Sequence, residues 1–498
     1  MYKFPLFLLI VLFTFPSILS AQDCNCTIAE VQNNTVIPCD LVIGETVTVS
    51  TAEELRLAII QANNVGGNMT ILIEDGTYQI ASTAWYPYIT ANDLVIRSVS
   101  GNRDNVILTG NGMMSVSPGT ENGLYATGNN ITIADLTIKE VGNHGIAVDG
   151  DNLFVHNVKI QNTFEQMLKG TSGGDGGSDN SIVQCSLFEY PSGEGPQFYI
   201  GGLDIHMGDG WIVRDNIFKN IQSPSGSLAE HAIHFWNHCS DNTIERNWII
   251  NCDRGIGFGL GSSPNEGGVI KNNMIYNDGT GVFNDVGIGL ETSPGTKVFN
   301  NTIFLTDYPN AIEYRFEATQ NVDIANNLTN KAITSRNGGQ ATLITNMEDA
   351  VEDWFVNVGE GDLHLADLNP AIVDQGTILE EVVLDFDQTA RPQGTALDIG
   401  AHEWLQPQNA DFPGGNILNV QVFPNPAAEK MTIEITSEIP VRISILDILG
   451  RPVWTNNLHS FDNDVEVDVS DWPNGLYFCE IVDSDFSLLE VRTMIIGH

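Results

Sequence analysis

The sequence is poor in positive charge. Its 498 residues include 21 Lys and Arg against 63 Asp and Glu, which gives a formal net charge of −42. Nucleic acids and anionic membranes are bound through cationic contacts to phosphate, so we expect neither as a partner. The same deficit disfavours a polyanionic substrate unless metal ions or a local basic patch offset the field.

Long apolar runs are also scarce. One such run, from Phe4 to Leu19, lies between a Lys-bearing start and Ser20-Ala21, which is the pattern of a secretory signal peptide over residues 1–21. No later stretch reaches the length that spans a bilayer. We therefore predict an exported protein without a membrane-spanning segment.

Cysteines number only seven, and none has the spacing of a zinc site. An oxidising exterior permits pairing among those in the N-terminal segment 22–47. These are Cys24, Cys26 and Cys39. For Cys185 and Cys479, which lie in strand-like runs, we predict buried free thiols.

A short apolar-polar unit recurs from about Asn92, after a predicted helix. The helix is indicated by Thr51-Ala-Glu-Glu54, a capping-box pattern, ahead of the amphipathic run 55–62. Successive repeat units start 22 to 31 residues apart. The starts are Ile133, Val155, Val183, Val213, Ile244, Ile270, Val298 and Ile324. Such a period, with short strands and no intervening helix, indicates stacked β-coils.

The predicted fold class is all-β: a right-handed parallel β-helix over residues 48–404 with an N-terminal capping helix. Right-handed coiling is the rule for strands joined in parallel. A column of Asn supports the stacking, because Asn tolerates left-handed backbone and its amide can bond the same residue one coil away. The column is Asn216, Asn247, Asn273, Asn301 and Asn327. The helix leading into Thr70-Ile-Leu-Ile73 resembles the cap of pectate-lyase-like β-helices.

The last eighty residues have a different pattern. Alternation in Met431–Ile435, Val441–Asp447 and Leu476–Ile481 predicts a small β-sandwich over residues 419–498, after a linker at 405–418. With "FPNP", "DILGRPV" and "NGLYFCEI", this segment resembles the C-terminal sorting domain of the type IX secretion system of Bacteroidota. The resemblance implies the type IX machinery as a partner and a secreted or outer-membrane cell-surface location.

Outward side chains of stacked coils form columns, because side chains alternate in and out along a strand. Alignment of the apolar pairs places chemistry-bearing residues in two adjacent columns. One column holds Lys169, His206, Trp236 and Gly259, and the other holds Met167, Asp204, His234 and Gly257. Arg254 begins the strand that carries the two glycines.

These residue types suit a sugar site. Lys169, His206 and His234 are the predicted catalytic residues, because Lys and His can move protons near neutral pH. The predicted substrate-binding residues are Asp204, Trp236, Arg254, Gly257 and Gly259; Trp offers a flat surface to a pyranose ring. Plainer interpretations exist for each: glycines relieve crowding at bends, a lone His is a packing residue, and the Trp covers apolar surface.

The same face resembles that of the alginate and chondroitin lyases of polysaccharide lyase family 6. In that family a Lys on one coil acts as base and an Arg in a "Leu-x-Leu-Arg-His-Gly" strand assists. Here Lys169 fits the Lys place, and Leu203–Gly208 fits the strand with His206 in the Arg place. The resemblance implies cleavage of a uronate-containing polysaccharide by β-elimination. Because His206 stands in the place of the Arg, no residue is assigned to neutralise the carboxylate of the uronate.

Other functions stay open at the level of sequence. No calcium-ligand trio of that family matches, so the metal ligands are unknown, calcium is an open cofactor and no other cofactor is expected. A β-helix also serves as a non-catalytic carbohydrate-binding or adhesin-like surface protein. A uronate C5-epimerase shares the proton abstraction but leaves the chain intact. We predict a monomer that acts on a polysaccharide, with a lyase as the leading function.

Overall fold

A computed structural model describes most of the chain. The described residues are 24–82, 88–115, 121–171, 177–405, 418–424, 427–437, 441–447, 451–458, 463–482 and 488–497. The predicted signal peptide and nearly all of the predicted linker lie outside them. The chain divides between Trp404 and Leu405 into two compact units. Among the described residues, no helix is both long and apolar enough to cross a bilayer.

Two α-helices, Ile28–Asn33 and Ala52–Val65, precede the main body of strands. The second is the predicted helix: the Thr51 hydroxyl accepts a hydrogen bond from the Glu54 amide at 3.1 Å. The Glu54 carboxylate accepts from the Ser50 amide instead, so half of the capping box forms. Short 3-10 turns are Ile80–Ser82, Glu352–Trp354 and Val358–Glu360.

Three long parallel sheets of twelve, ten and ten strands form most of the first unit, and successive strands of a coil belong to different sheets. The first sheet runs Glu45–Val49, Gly67–Ile73, Asn92–Ser98, Ile131–Ala134, Phe154–His156, Ile182–Gln184, Ile212–Arg214, Thr243–Glu245, Val269–Lys271, Lys297–Phe299, Val322–Ala325 and Ala341–Ile344. The second, here called the site sheet, runs Tyr88–Ile89, Leu124–Ala126, Ile146–Val148, Leu168–Gly170, Leu203–His206, Ile233–Trp236, Ile256–Phe258, Ile288–Glu291, Asn310–Arg315 and Ala332–Arg336. The third runs Gly76–Gln79, Val106–Thr109, Thr137–Val141, Lys159–Thr163, Leu187–Glu189, Ile217–Lys219, Trp248–Ile250, Met274–Asn277, Thr302–Leu305 and Leu328–Thr329.

Smaller pairings complete the architecture. Cys239–Ser240 pairs in parallel with Asn265–Glu266, and Phe355–Asn357 pairs antiparallel with Asp362–Leu365. The second unit has two antiparallel sheets, as expected for a small sandwich. One contains Leu418–Phe423, Lys430–Ser437 and Asn463–Asp468; the other contains Val441–Leu446, Pro452–Leu458, Gly475–Val482 and Leu488–Ile496.

The Asn column forms a buried ladder along the corner between the first and third sheets. Each amide Nδ2 donates to the Oδ1 of the next Asn at 2.9 to 3.0 Å, and the ladder continues from Asn327 to Asn346. The left-handed residue of each corner is the one before the ladder Asn, such as Asp215 or Asn272. The ladder residues therefore stabilise the coils by cross-coil hydrogen bonds and not by a left-handed backbone.

One disulfide closes a loop within the N-terminal segment, and another holds this segment against the coils. Cys24 pairs with Cys39, and Cys26 pairs with Cys185 at a Cα–Cα distance of 6.0 Å. The prediction of a free thiol at Cys185 is wrong, because the chain brings Cys26 back onto the corner that follows Ile182–Gln184. The thiol predicted at Cys479 is free and buried, as expected.

Candidate active site

The register of the site sheet places Lys169 opposite Asp204. Alignment by apolar pairs had placed Lys169 in the column of His206 and Met167 in the column of Asp204. The strand holds one inward apolar residue, Leu168, which pairs with Leu203 and not with the next inward position. Met167 is instead fully buried in the core. Lys169 thus belongs to the column of Asp204 and His234, although its long side chain still reaches His206.

Asp204 is the centre of the contacts on this face. The Lys169 ammonium forms an ion pair with one carboxylate oxygen of Asp204, and the Trp236 indole Nε1–H donates to the other at 2.7 Å. Lys169 Nζ also lies 3.0 Å from Nε2 of His206. Asp204 is only 2 % exposed, so these groups bury its charge completely. Burial alone would raise its pKa, but His206 and the charges of Lys169 and His234 together hold that pKa below its ordinary value.

Three rings cover the buried carboxylate. The His206 ring meets Trp236 edge-on with centroids 4.2 Å apart, and the His234 ring stacks on Trp236 at 5.6 Å. His234 is fully buried and its Nε2–H donates to the carbonyl oxygen of Gly259 at 3.2 Å. The side chains of Lys169 and His206 remain 11 % and 21 % exposed. Protons can therefore pass between solvent and these two residues, but not directly to His234.

The glycines of the next coil have separate causes. A Cβ at Gly257 would lie 2.7 Å from ring atoms of His231, so the ring of this His fills the space above Gly257. Gly259 has φ +74°, and a Cβ there would meet the carbonyl oxygen of Glu291. The first glycine makes room for a side chain and the second is required by a turn. Gly257 therefore does not expose bare backbone to a sugar chain, because the ring of His231 covers it.

A polar cavity of about 250 Å³ opens beside this cluster on the same face. Its lining residues are Leu228, His231, Arg254, Gly259, Asp285, Val286, Gly289, Glu291, Glu313 and Arg315. Arg254, a predicted substrate-binding residue, lines it with Nε 3.7 Å from an Asp285 oxygen. Arg315 forms an ion pair with Glu291. Two arginines and three carboxylates therefore line the cavity.

Sequence reasoning missed several residues that surround the site. Glu230 and His231 lie next to His234, with His231 and His234 ring centroids 4.4 Å apart. His144 lies on the other side, its Nδ1 3.0 Å from the Gln166 carbonyl, and burial lowers its pKa to about 4. Burial raises the pKa of Tyr199, and the charge of Asp204 raises it further. Glu230-His-Ala-Ile-His234 was the one visible signal, because it clusters ionisable residues in five positions.

Comparison with known proteins agrees with this architecture. Residues 122–303 match the family described as a right handed beta helix region, and residues 421–496 match the secretion system C-terminal sorting domain. No curated protein sequence gives a significant match. One similar solved structure is a PL6 family polysaccharide lyase from Pseudopedobacter saltans, with 13 % identity and a TM-score of 0.39 over 72 % of this chain and all of that one. Another is the Agl-KA catalytic domain, with 15 % identity and a TM-score of 0.34 over 64 % of this chain and 65 % of that one.

Structural similarities this low carry no argument about activity. The sheets, the repeat and the first family match define a right-handed parallel β-helix protein. Its C-terminal unit is a type IX sorting domain, and the protein is accordingly secreted or held at the cell surface.

Proposed function

We propose that the protein is a polysaccharide lyase that cleaves a uronate-containing chain by β-elimination on the site sheet. The observation that carries the proposal is the 3.0 Å distance between Nζ of Lys169 and Nε2 of His206. A proton can pass along this contact without a conformational change. Both groups reach solvent, whereas the carboxylate that orients them, Asp204, is buried.

The contact allows a closed proton cycle. Lys169 gives its ammonium proton to His206, becomes a neutral amine, and then takes the proton on the carbon next to the uronate carboxyl. The electrons of that C–H bond form the new double bond as the bond to the 4-linked oxygen breaks. The His206 imidazolium protonates the departing oxygen, which restores both residues to their starting state. Asp204 stabilises the positive charge in both forms of the pair.

The rest of the face supports sugar binding in this proposal. Trp236 presents an indole edge next to the pair, although one of its ring faces is already stacked on His234. Arg254 and Arg315 line the adjoining cavity, and we assign to them the carboxylates of flanking uronates. His234 is a positioning residue, since it is fully buried beneath Trp236.

The test is a substrate panel. Mature protein is incubated with alginate, pectate, chondroitin and ulvan, and the absorbance of the unsaturated product is followed together with new reducing ends. Lys169→Ala and His206→Ala are each expected to lower the rate at least about 100-fold. The matched control is His238→Asn, an exposed His near the same strand, which is expected to keep the wild-type rate.

The alternatives give different results in the same assay. Reducing ends without unsaturated product would indicate hydrolysis, and a changed sugar composition at constant chain length would indicate a C5-epimerase. Carbohydrate binding that survives both alanine substitutions, with no product on any substrate, would indicate a non-catalytic binding or adhesin-like protein and would contradict the lyase.

A further inference from the structure

Three potential metal ligands converge on the outer face of the site sheet, at the start of the strand Ile233–Trp236. They are Glu230, His231 and His234, and one ligand atom from each lies within 4.8 Å of those of the other two. His231 is 6 % exposed and His234 is fully buried. The Glu230 side chain is 22 % exposed, and His231 lines the polar cavity. The cluster is therefore enclosed but open to the cavity on one side.

Three buried polar atoms of this cluster make no hydrogen bond within the described part of the chain. Oε2 of Glu230, Nδ1 of His231 and Nδ1 of His234 are buried and have no hydrogen-bond partner among the described residues. A buried polar atom without a partner costs about 1–3 kcal/mol. Three such atoms in one place require a common explanation, because buried polar groups are normally satisfied.

The outer contact of His234 fixes which of its nitrogens is available. Nε2 lies 3.2 Å from the carbonyl oxygen of Gly259, and since a carbonyl only accepts, Nε2 carries the hydrogen. In the neutral ring Nδ1 then holds a lone pair. That lone pair faces Oε2 of Glu230 at 3.4 Å and Oδ1 of Asp204 at 3.8 Å. A positive charge is needed between these electron-rich atoms, and it is either a proton on Nδ1 or a cation.

Metal-binding histidines typically have this arrangement, in which the second ring nitrogen donates to a backbone carbonyl or a carboxylate. His231 supplies a second unpaired nitrogen, which a proton on His234 alone would leave unsatisfied. A cation bound by all three residues compensates the carboxylate of Glu230 and occupies one nitrogen of each ring. The carboxylate of Asp204 adds negative charge just outside the trio.

We propose that Glu230, His231 and His234 bind a zinc ion. Two imidazoles and one carboxylate are a set that suits zinc and other borderline metals, whereas calcium and magnesium prefer oxygen ligands alone. The cavity gives the ion a route of entry. The proposal is independent of the proposed lyase activity, because it is tested without substrate.

A second trio in the same unit serves as an internal contrast. Asp385, Asp387 and His402 also bring ligand atoms together. The Asp385 oxygens, however, already accept backbone hydrogen bonds from Asp387, Thr389 and Glu403 at 2.7 to 2.9 Å. The oxygen atoms that Asp385 would offer to a metal are therefore already engaged in hydrogen bonds, and we expect no tight zinc site there.

The test is calorimetric titration of metal-free, full-length protein with zinc chloride. We expect one equivalent of zinc to bind, and calcium chloride at the same concentration to give at least tenfold weaker binding. Glu230→Gln and His231→Gln are expected to weaken zinc binding at least tenfold. His238→Asn, on the same coil, and His402→Gln, in the contrasting trio, are expected to leave it unchanged.

X-ray absorption of the zinc-loaded wild-type protein gives an answer that does not depend on the folding of any variant. Two imidazole ligands and one carboxylate are expected. Failure of the wild-type protein to take up zinc would overturn the proposal and would leave a protonated His234 as the explanation of the cluster. A different ligand set, or loss of binding only in His402→Gln, would overturn it as well.

Discussion

At the scale of single residues, the candidate site depends on the buried charge of Asp204. Its carboxylate is contacted by an ammonium, an indole N–H and two imidazoles, all within one outward patch of the site sheet. Burying a charge is tolerated only when it is paired and hydrogen-bonded. The residues that are candidates for chemistry are therefore also those that make the burial of Asp204 possible.

Removal of the Lys169 ammonium should show how far the buried Asp204 carboxylate depends on its ion-pair partner. Lys169→Met leaves the Asp204 carboxylate buried without its ion-pair partner, and we expect a loss of about 3 kcal/mol in the free energy of unfolding. Adding Asp204→Asn should recover at least half of that loss. The measurement is urea unfolding followed by circular dichroism.

The control for this experiment is Lys159→Met. Its ion pair with Asp104 is more exposed, with Asp104 44 % accessible, so the expected loss is under about 1 kcal/mol. Equal losses in the two single variants would contradict the importance assigned to burial.

At the scale of elements, the corner between the first and third sheets carries the Asn ladder. Asn273 makes three side-chain donor contacts, to the carbonyls of Ile244 and Lys271 and to Asn301, and its Oδ1 accepts from Asn247. All of these contacts are buried except the one to the carbonyl of Lys271, which is partly buried. Each rung therefore joins the coil before it to the coil after it.

Substitution within the ladder should cost more than substitution at its end. Asn273→Ala leaves several buried donors and acceptors unpaired, so we expect a loss of about 2–4 kcal/mol in the free energy of unfolding. Asn346→Ala, at the partly buried last rung, is expected to cost half as much or less. Chemical denaturation of both variants provides the comparison, and a larger cost at Asn346 would contradict a cooperative ladder.

Periodicity and a capping pattern were enough to predict the β-helix, the helix Ala52–Val65 and the sandwich, because each pattern extends over many residues. The site was only partly predictable. Lys169, His206 and Trp236 do meet around Asp204, but the strand of Lys169 has one inward apolar residue, so its register could not be read. The partner of Cys185 was missed, since it depends on a contact that no local pattern encodes. His231 was missed although its cluster with Glu230 and His234 is visible in the sequence.

At the scale of the whole molecule, a charged contact at the end of the β-helix unit joins the strand Asp362–Leu365 to a later part of the chain. His364, in Asp362–Leu365, contacts Asp362 and lies 3.0 Å from a carboxylate oxygen of Asp387, which is 23 residues further along the chain. Burial lowers the pKa of His364, but the two carboxylates outweigh it and raise that pKa to about 10. Protonated His364 thus holds the strand Asp362–Leu365 to the stretch around Asp387.

Stability should depend on pH through this proton. The unfolded chain releases it near pH 6.5, whereas the folded chain retains it to about pH 10. The contribution to the free energy of unfolding, on the order of a few kcal/mol after allowance for solvent screening, is complete below about pH 6.5 and is lost as the pH rises through 10. Urea titrations of wild type and His364→Gln at pH 6 and pH 10 should show their difference shrinking. A constant difference would count against this linkage.

The Cys26–Cys185 bond also sets an order of events during maturation. Its two cysteines are 159 residues apart, whereas Cys26 and Cys39 are 13 apart, so closing the long loop in an unfolded chain costs about 2 kcal/mol more. Oxidation before folding will therefore favour the wrong, short-range partner. The correct bond becomes favourable only after the coils up to Cys185 have stacked, and mass spectrometry of quenched refolding samples should find it last. The presence of the Cys26–Cys185 disulfide thus implies that the coils up to Cys185 folded before this bond formed.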